Sequence, residues 1–323
     1  MDISSISQKI YSQISQAENI LLAAHQQPDA DALGSLVAFG HWLDFLGKKH
    51  AKFCRQQPPP ALDWLNGFQP LITDWAELAS VQFDLLIILD AGDLKHAGFD
   101  QILSTLPFRP TIINIDHHST NRHFGDINLV LPEAVSTTEI IFQLFKNLSA
   151  PISRQTASAL LAGIIYDTYN FTNPNTTYQS FAIASRLLSD GASLPQVSDS
   201  IIKTKTVGAL QTWGKALAGL NYNPFLAVAA MTIISEDLPE DGGSAEAAAG
   251  LANFLNNLSD IKATLILRQQ PDGYIKGSLR TSDDSVDVAR LAQFLGGGGH
   301  RKAAGFRVRG ELVKTDEGVW QVV

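Results

Sequence analysis

A single cysteine, Cys54, and two methionines are all the sulfur in 323 residues. One thiol cannot close an internal disulfide, and Cys54 sits in an apolar stretch, Ala51 to Arg55, that reads as a strand. A small buried hydrophobe is the expectation, so thiolate chemistry and cysteine-based zinc sites are disfavoured. Long hydrophobic runs are missing too: no stretch approaches the ~20 apolar residues that cross a bilayer. The first twenty residues carry Asp2, Lys9 and Glu18 and do not read as a secretion signal. A soluble, cytoplasmic protein without a membrane partner is expected. Positive charge is scarce, with 24 Lys and Arg against 32 Asp and Glu. The deficit lies entirely in residues 1–199, which hold 11 basic and 19 acidic residues, whereas residues 200–323 hold 13 of each. A chain that grips long nucleic acid usually carries a basic surface. Here no basic stripe or aromatic platform is apparent, so any nucleotide ligand should be short. An acidic first part suits a metal site, whose cations reverse the local charge.

What is present is apolar material, 45% of the residues, enough for a sizeable core and for two domains. Neither internal repeats nor low-complexity tracts occur. The first part alternates strand-like and helix-like segments. Asn19 to Ala24, Ala51 to Arg55, Phe83 to Leu89 and Thr111 to Ile115 read as strands, with a Pro58-Pro59-Pro60 turn after the second. Leu33 to Leu46, Thr137 to Leu148 and Arg154 to Tyr166 read as helices. Continuous apolar strands alternating with helices predict a parallel sheet covered on both faces. Residues 186 to about 215 read as connecting helix and linker, with Gly191 and Pro195 as breakers and 189–215 taken as the linker between domains. A smaller α/β unit follows, with strands at Phe225 to Ile234, Ile261 to Arg268 and Tyr274 to Thr281. Helices are expected at Ser244 to Leu258 and Val286 to Leu295. The last two strands are joined by Pro271-Asp272-Gly273, a good turn. The expected domains are 1–188 and 216–323.

His25, Asp90 and Asp116 each follow a predicted strand at its carboxyl end, where open parallel sheets form their crevices. His25, Asp29 and Asp31, at offsets 0, 4 and 6, can aim one imidazole and two carboxylates at neighbouring points. Carboxylate oxygens with one or two imidazoles suit Mn²⁺ or Mg²⁺. Asp31 could equally be a helix N-cap, and Asp93 is read as structural, a capping or turn residue, or as a group behind the ligands. In Asp116-His117-His118, adjacent histidines point different ways, so one can bind metal while the other meets substrate, and the aspartate can orient a ring. Asp167 closes an otherwise apolar helix; taken alone, hydrogen bonding at the helix end would explain it. Near the end, Gly296-Gly297-Gly298-Gly299-His300 allows close approach to a ligand and exposes backbone N–H groups to phosphate. A helix C-cap would account for Gly296 alone.

Together these residues resemble the DHH phosphoesterases, a family named for the tripeptide seen here as Asp116-His117-His118. The resemblance takes in His25…Asp29…Asp31, Asp90, the tripeptide with Asn121, Phe124 and Gly125, the Ser136-Thr137-Thr138-Glu139 segment and Asp167. It continues as Gly277-Ser278-Leu279-Arg280 and Gly297 to Phe306, which look like the DHHA1 substrate-binding domain. The resemblance implies a Rossmann-like metal-binding domain, a smaller DHHA1 domain and an active site in the cleft between them. It implies His25, Asp29 and Asp90 on one divalent cation, and Asp31, Asp90, His117 and Asp167 on a second, with Asp90 bridging. Mn²⁺ is favoured over Mg²⁺. Asp90, Asp116 and His118 take catalytic roles, His118 facing the phosphate or leaving oxygen. Arg280, Gly297, Gly298, Gly299 and His300 hold the substrate. The two-domain plan is similar to that of the nanoRNases, which cut very short RNA or DNA to nucleoside 5′-monophosphates and dephosphorylate 3′-phosphoadenosine 5′-phosphate. Relatives that open cyclic di-AMP or cleave pApA are the nearest rival, and a catalytically idle nucleotide-binding protein is the rival from another class. A homodimer is compatible with either. Many relatives carry an arginine shortly after the bridging aspartate, where this chain reads Leu94-Lys95-His96. His41, His50 and His123 have no motif role.

Overall fold

The computed structural model describes residues 3–66, 71–201, 207–234, 251–255, 258–315 and 320–323. The chain divides into two compact units, 1–204 and 205–323. In the first, helix α1 (Ile3–Gln16) leads into strand β1 (Asn19–Ala23), helix α2 (Ala30–Phe45) and β2 (Lys49–Phe53). Then come β3 (Leu71–Ile72), β4 (Leu85–Leu89), the single turn α3 (Ile102–Thr105), β5 (Thr111–Asp116) and β6 (Ile127–Val130). Helices α4 (Thr137–Asn147), α5 (Arg154–Asp167), α6 (Tyr178–Ser189) and α7 (Leu194–Ile201) complete it. The six strands form one sheet in the order β3-β2-β1-β4-β5-β6, parallel throughout.

This architecture explains the apolar runs. Along β1 and β4, Ile20, Leu22, Leu85, Ile87 and Leu89 enter one core beneath α1, α2, α4 and α5. Leu21, Ala23, Leu86 and Ile88 enter a second core on the other face, with Phe53, Phe99 and Ile112. Both faces are dry, so neither can be polar. The chain winds outward in both directions from the β1–β4 pair, which is the switch point where such sheets open a crevice at their carboxyl ends.

The second strand lies two residues earlier than its composition suggested, so Cys54 follows β2; it is fully buried, as expected. The stretch read as connecting helix and linker holds two helices among the described residues. Helix α7 buries Val197 in the core of the first unit, and α8 (Val207–Ala218) belongs to the second.

In the second unit, β7 (Asn221–Asn223), β8 (Val228–Ile233), β9 (Ala263–Gln269), β10 (Tyr274–Arg280), β11 (Gly298–His300) and β12 (Ala303–Arg309) form a mixed sheet. Its order is β11-β12-β10-β9-β8-β7, with only β8 and β9 parallel. Helix α9 (Leu251–Leu255) packs with α8 on one face, and α10 (Val288–Phe294) covers the other. A small pair, β13 (Leu312–Lys314) and β14 (Trp320–Val322), follows. The helix expected from Ser244 is described only within Leu251–Leu255; the remainder of that expectation falls largely outside the described residues. The strand expected from Phe225 begins at Val228, because Phe225 lies in the β7–β8 turn, almost fully exposed.

Candidate metal centre

Residues from five segments meet at the carboxyl edge of the parallel sheet. His25 follows β1, Asp29 and Asp31 begin α2, Asp90 follows β4, Asp116 ends β5 with His117 and His118 after it, and Asp167 ends α5. Asp90 is the hub. Its Oδ2 lies 3.4 Å from His25 Nε2, and its Oδ1 lies 3.6 Å from His117 Nε2 and 3.8 Å from His118 Nδ1. His25 Nε2 is also 3.7 Å from Asp29 Oδ1, and His117 Nε2 is 3.3 Å from Asp167 Oδ2. Donor atoms of His25, Asp29 and Asp90 fall within 4.8 Å of one another, and so do those of Asp31, Asp90 and His117. Ligands at ~2.1 Å around an octahedral cation lie about 3 Å apart, so each cluster needs only a small contraction to close on a divalent ion. Asp90 belongs to both.

The backbone holds Asp90 there under strain. Its φ of +57° is left-handed, a region few non-glycine residues adopt. Its N–H extends the β4–β5 pairing by donating to the Ile115 carbonyl at 2.9 Å.

Asp31 and Asp29 divide the roles that the sequence left open. The N-cap of α2 is Asp29, whose Oδ1 accepts from the Asp31 and Ala32 N–H groups. Asp31 is fully buried, and its carboxylate is set by the start of α4: the Thr137 and Thr138 N–H groups donate to its two oxygens at 2.7 and 3.0 Å, and the Thr138 hydroxyl adds a third bond at 2.7 Å. A helix N-terminus favours a carboxylate so placed. The Thr137 hydroxyl donates to Asp90 Oδ1 at 3.1 Å, while Ser136 caps α4 by accepting from the Glu139 N–H. The Ser136-Thr137-Thr138-Glu139 segment, which had no assigned role, is thus the orienting frame of two carboxylates. Gly163 completes it, because a Cβ there would stand 2.3 Å from both Asp31 Oδ1 and Thr138 Oγ1.

Asp116 is buried behind His118, its Oδ1 2.7 Å from Nδ1, while Oδ2 accepts from Asn121 Nδ2 at 2.6 Å. His117 donates to the Ala134 carbonyl, which leaves Nε2 turned toward Asp90 and Asp167. His96 was missed by sequence reasoning. Its ring stacks on His25 with centroids 5.2 Å apart and planes 4° off parallel, and it meets His118 edge-on. No spacing rule would have found it, since the β4–β5 loop carries it back onto β1. Asp93 accepts from the His96 N–H at 2.7 Å.

The charges do not balance. Burial pushes Asp31 and Asp167 well above the usual carboxylate range, and their carboxylate neighbours push them further. Burial opposes ionisation of Asp90 as well, but His25, His118 and His117 hold it far below that range. Burial alone would lower His25, yet Asp29 and Asp90 raise it to about 10; Asp116 and Asp90 similarly raise His118 to about 9. Asp167 Oδ2 is buried and makes no hydrogen bond. Five carboxylates against three imidazoles, one carboxylate oxygen left without a donor, and oxygen–nitrogen donor sets together fit divalent cations.

Two family models match in succession: the DHH family N-terminal domain over residues 19–164 and the DHHA1 domain over residues 223–316. The chain belongs to the DHH/DHHA1 family. It is 28% identical over 94% of its length to the bifunctional oligoribonuclease and PAP phosphatase NrnA of Thermus thermophilus, covering 89% of that protein. It is 27% identical to the Bacillus subtilis protein of the same name, with 90% of each chain covered. An exopolyphosphatase-related protein from Bacteroides fragilis has a similar structure, with a TM-score of 0.82 at 26% identity, over 97% of this chain and 92% of that one.

In the DHHA1 unit the glycine run is not a free loop. Gly296 ends α10 with φ +78°, and Gly298–His300 forms edge strand β11 against β12. Gly297 is required by packing, since a Cβ would stand 2.0 Å from the Gly305 carbonyl oxygen. Strand register brings the expected substrate residues together: Arg280 on β10 and His300 on β11 both pair with Ala303 of β12, so they share one row on one face of the sheet. Among the described residues, no helix is long and apolar enough to cross a membrane.

Proposed function

We propose that this chain is a two-metal phosphoesterase that hydrolyses very short oligonucleotides to nucleoside 5′-monophosphates and also removes a phosphate from 3′-phosphoadenosine 5′-phosphate, the two activities named for its Thermus and Bacillus relatives. The observation that carries this reading is Asp90, one carboxylate shared by two donor clusters at the crevice of the sheet. His25, Asp29 and Asp90 would hold one cation, and Asp31, Asp90, His117 and Asp167 the other, with Mn²⁺ preferred. Such a pair supplies Lewis acidity and a water of lowered pKa at neutral pH. The protein's own groups do the rest. Asp116 keeps the proton of His118 on Nδ1 and favours the charged ring, so Nε2 can hold a second proton for a phosphoryl or leaving oxygen. Thr137 and Thr138 fix the lone-pair directions of Asp90 and Asp31. Arg280, His300 and the backbone of Gly297, Gly298 and Gly299 would hold a substrate phosphate.

The test is a panel of a pentaribonucleotide, 3′-phosphoadenosine 5′-phosphate, cyclic di-AMP and pyrophosphate, each with Mn²⁺, products resolved by chromatography. Mononucleotides from the first and AMP from the second are expected, with all activity lost in EDTA. Turnover of cyclic di-AMP or pyrophosphate alone would overturn the reading, as would no turnover at all.

A further inference from the structure

Three imidazoles surround Asp90, and they are not held alike. His117 is oriented by the Ala134 carbonyl, which accepts from its ring, and His118 by Asp116, 2.7 Å from Nδ1. His25 has no such partner. Its Nε2 is shared between Asp29 and Asp90, at 3.7 and 3.4 Å, and among the described residues its ring makes no hydrogen bond outside these two carboxylates. A metal-binding histidine is ordinarily fixed through its other nitrogen. The histidine χ2 torsion is broad and roughly two-fold, so without a further contact the ring can turn Nε2 away from the carboxylates.

The further contact is His96. Its ring lies parallel to that of His25, with planes 4° apart and centroids 5.2 Å apart, the spacing of an offset stack. His25 is buried and His96 is exposed, so the stack stands between His25 and solvent. The backbone presents His96 firmly. Residues 93–99 form consecutive tight turns, in which the Ala97, Gly98 and Phe99 N–H groups donate to the Asp93, Lys95 and Leu94 carbonyls. Asp93 accepts from the His96 N–H, and Ala97 and Phe99 anchor the segment in the second core of the parallel sheet. The segment is then stapled to the residue after His25. The Gln26 N–H donates to the His96 carbonyl at 3.1 Å, and Gln26 Nε2 donates to the Lys95 carbonyl at 2.7 Å. Gly98, at φ +76°, permits this approach: a Cβ there would stand 3.0 Å from Gln26 Cγ and 2.9 Å from Arg55 Cγ.

We infer that His96 is a positioning residue for one of the two cations: its ring fixes the plane of His25, and so the aim of Nε2 toward the ion shared with Asp29 and Asp90. His96 does not hold that ion, since among the described residues it belongs to no donor cluster. It also meets the His118 ring edge-on, centroids 6.4 Å apart, but His118 keeps Asp116 without it. The cation of Asp31, His117 and Asp167 likewise keeps its own orienting groups, the start of α4 and the Ala134 carbonyl. The inference rests on the two-cation reading above and divides that pair into a His96-dependent and a His96-independent ion. Flatness is what stacks, so the role needs an aromatic ring and not an ionisable one.

The test uses the full chain with His96→Ala and His96→Phe. Mn²⁺ binding is measured by titration calorimetry, and the loaded proteins are compared by electron paramagnetic resonance. Wild type should bind a pair of ions and give the signal of exchange-coupled Mn²⁺. His96→Ala should weaken one ion by about 10–100-fold, as for other groups that orient ligands, and leave the second nearly as tight. At Mn²⁺ concentrations that fill both wild-type sites it should give the signal of an isolated ion. His96→Phe should restore the affinity and the coupled signal, which loss of an ionisable group or of a hydrogen bond could not explain. Equal affinities in wild type and His96→Ala, equal weakening of both ions, or a His96→Phe variant as weak as His96→Ala would overturn the inference while the two-cation reading stood. A wild type that bound no pair of ions would remove that reading and the inference with it.

Discussion

The two units build their sites in opposite ways. In the first, chemistry collects at the ends of parallel strands: His25, Asp90 and Asp116 lie at or just past the carboxyl ends of β1, β4 and β5, and the helix starts of α2 and α4 orient the carboxylates. In the second, it collects across strands, where register alone puts Arg280 and His300 in one row. The first is acidic and converges on a point; the second is charge-neutral in sequence and joins its groups across strands. A parallel sheet buried on both faces can be polar only at its ends, whereas an antiparallel sheet can leave part of a face open to a ligand.

The sharpest break in this comparison is Asp90→Ala. Loss of the shared ligand should abolish turnover and strip both cations from the first unit, while labelled oligonucleotide still binds the second in EDTA. Metal analysis that returned two ions per chain and a near-normal rate would reduce Asp90 to a structural role.

Next in size is Gly163→Ala. A methyl group 2.3 Å from Asp31 and Thr138 must displace one of them, at about 1–3 kcal/mol of stability by the usual cost of overpacking, and Mn²⁺ affinity should fall with it. Gly297→Ala, which clashes instead with the β12 backbone, should weaken substrate capture and leave metal content intact. Calorimetry with metal titration of both variants separates the two; equal metal affinity in both would break the contrast.

Thr138→Val should act more gently. It removes one hydroxyl donor from Asp31 and keeps the shape of the side chain, so Mn²⁺ binding should weaken by about 10–100-fold, as for other groups that orient ligands. Unchanged binding would mean that the α4 backbone N–H groups suffice.

The smallest effect is a pH trend. His25 and His118 are raised from 6.5 to about 10 and about 9. Without metal, the stability they contribute is complete below pH 6.5 and is lost as pH rises through those values. Asp31 and Asp167, also raised, act in the same sense: the folded chain keeps protons that the unfolded chain releases above 3.8, so their contribution falls as pH rises. Metal binding needs deprotonated ligands and strengthens over the same window. The gap in Tm between Mn²⁺ and EDTA should therefore widen from pH 6.5 to 9, in the transition of the first unit only. A narrowing gap, or a shift shared by both units, would contradict the placement of the cations.

By itself the sequence determined the parallel sheet and the place of His25, Asp90 and His117 at its carboxyl edge, because an apolar run that stops at His or Asp marks both a buried strand and its open end. It also determined the β9–β10 hairpin through Pro271-Asp272-Gly273, whose Gly273 takes φ +75°. Tertiary structure decided the rest. Asp29 rather than Asp31 caps α2, because α4 claims Asp31 from 106 residues away. His96 reaches His25 by a loop that returns across the sheet, and the glycine run became an edge strand because β12 lies alongside it. The row of Arg280 and His300 across Ala303 was invisible in a chain read linearly, since only hydrogen-bonded register brings side chains from separate strands to one side of a sheet.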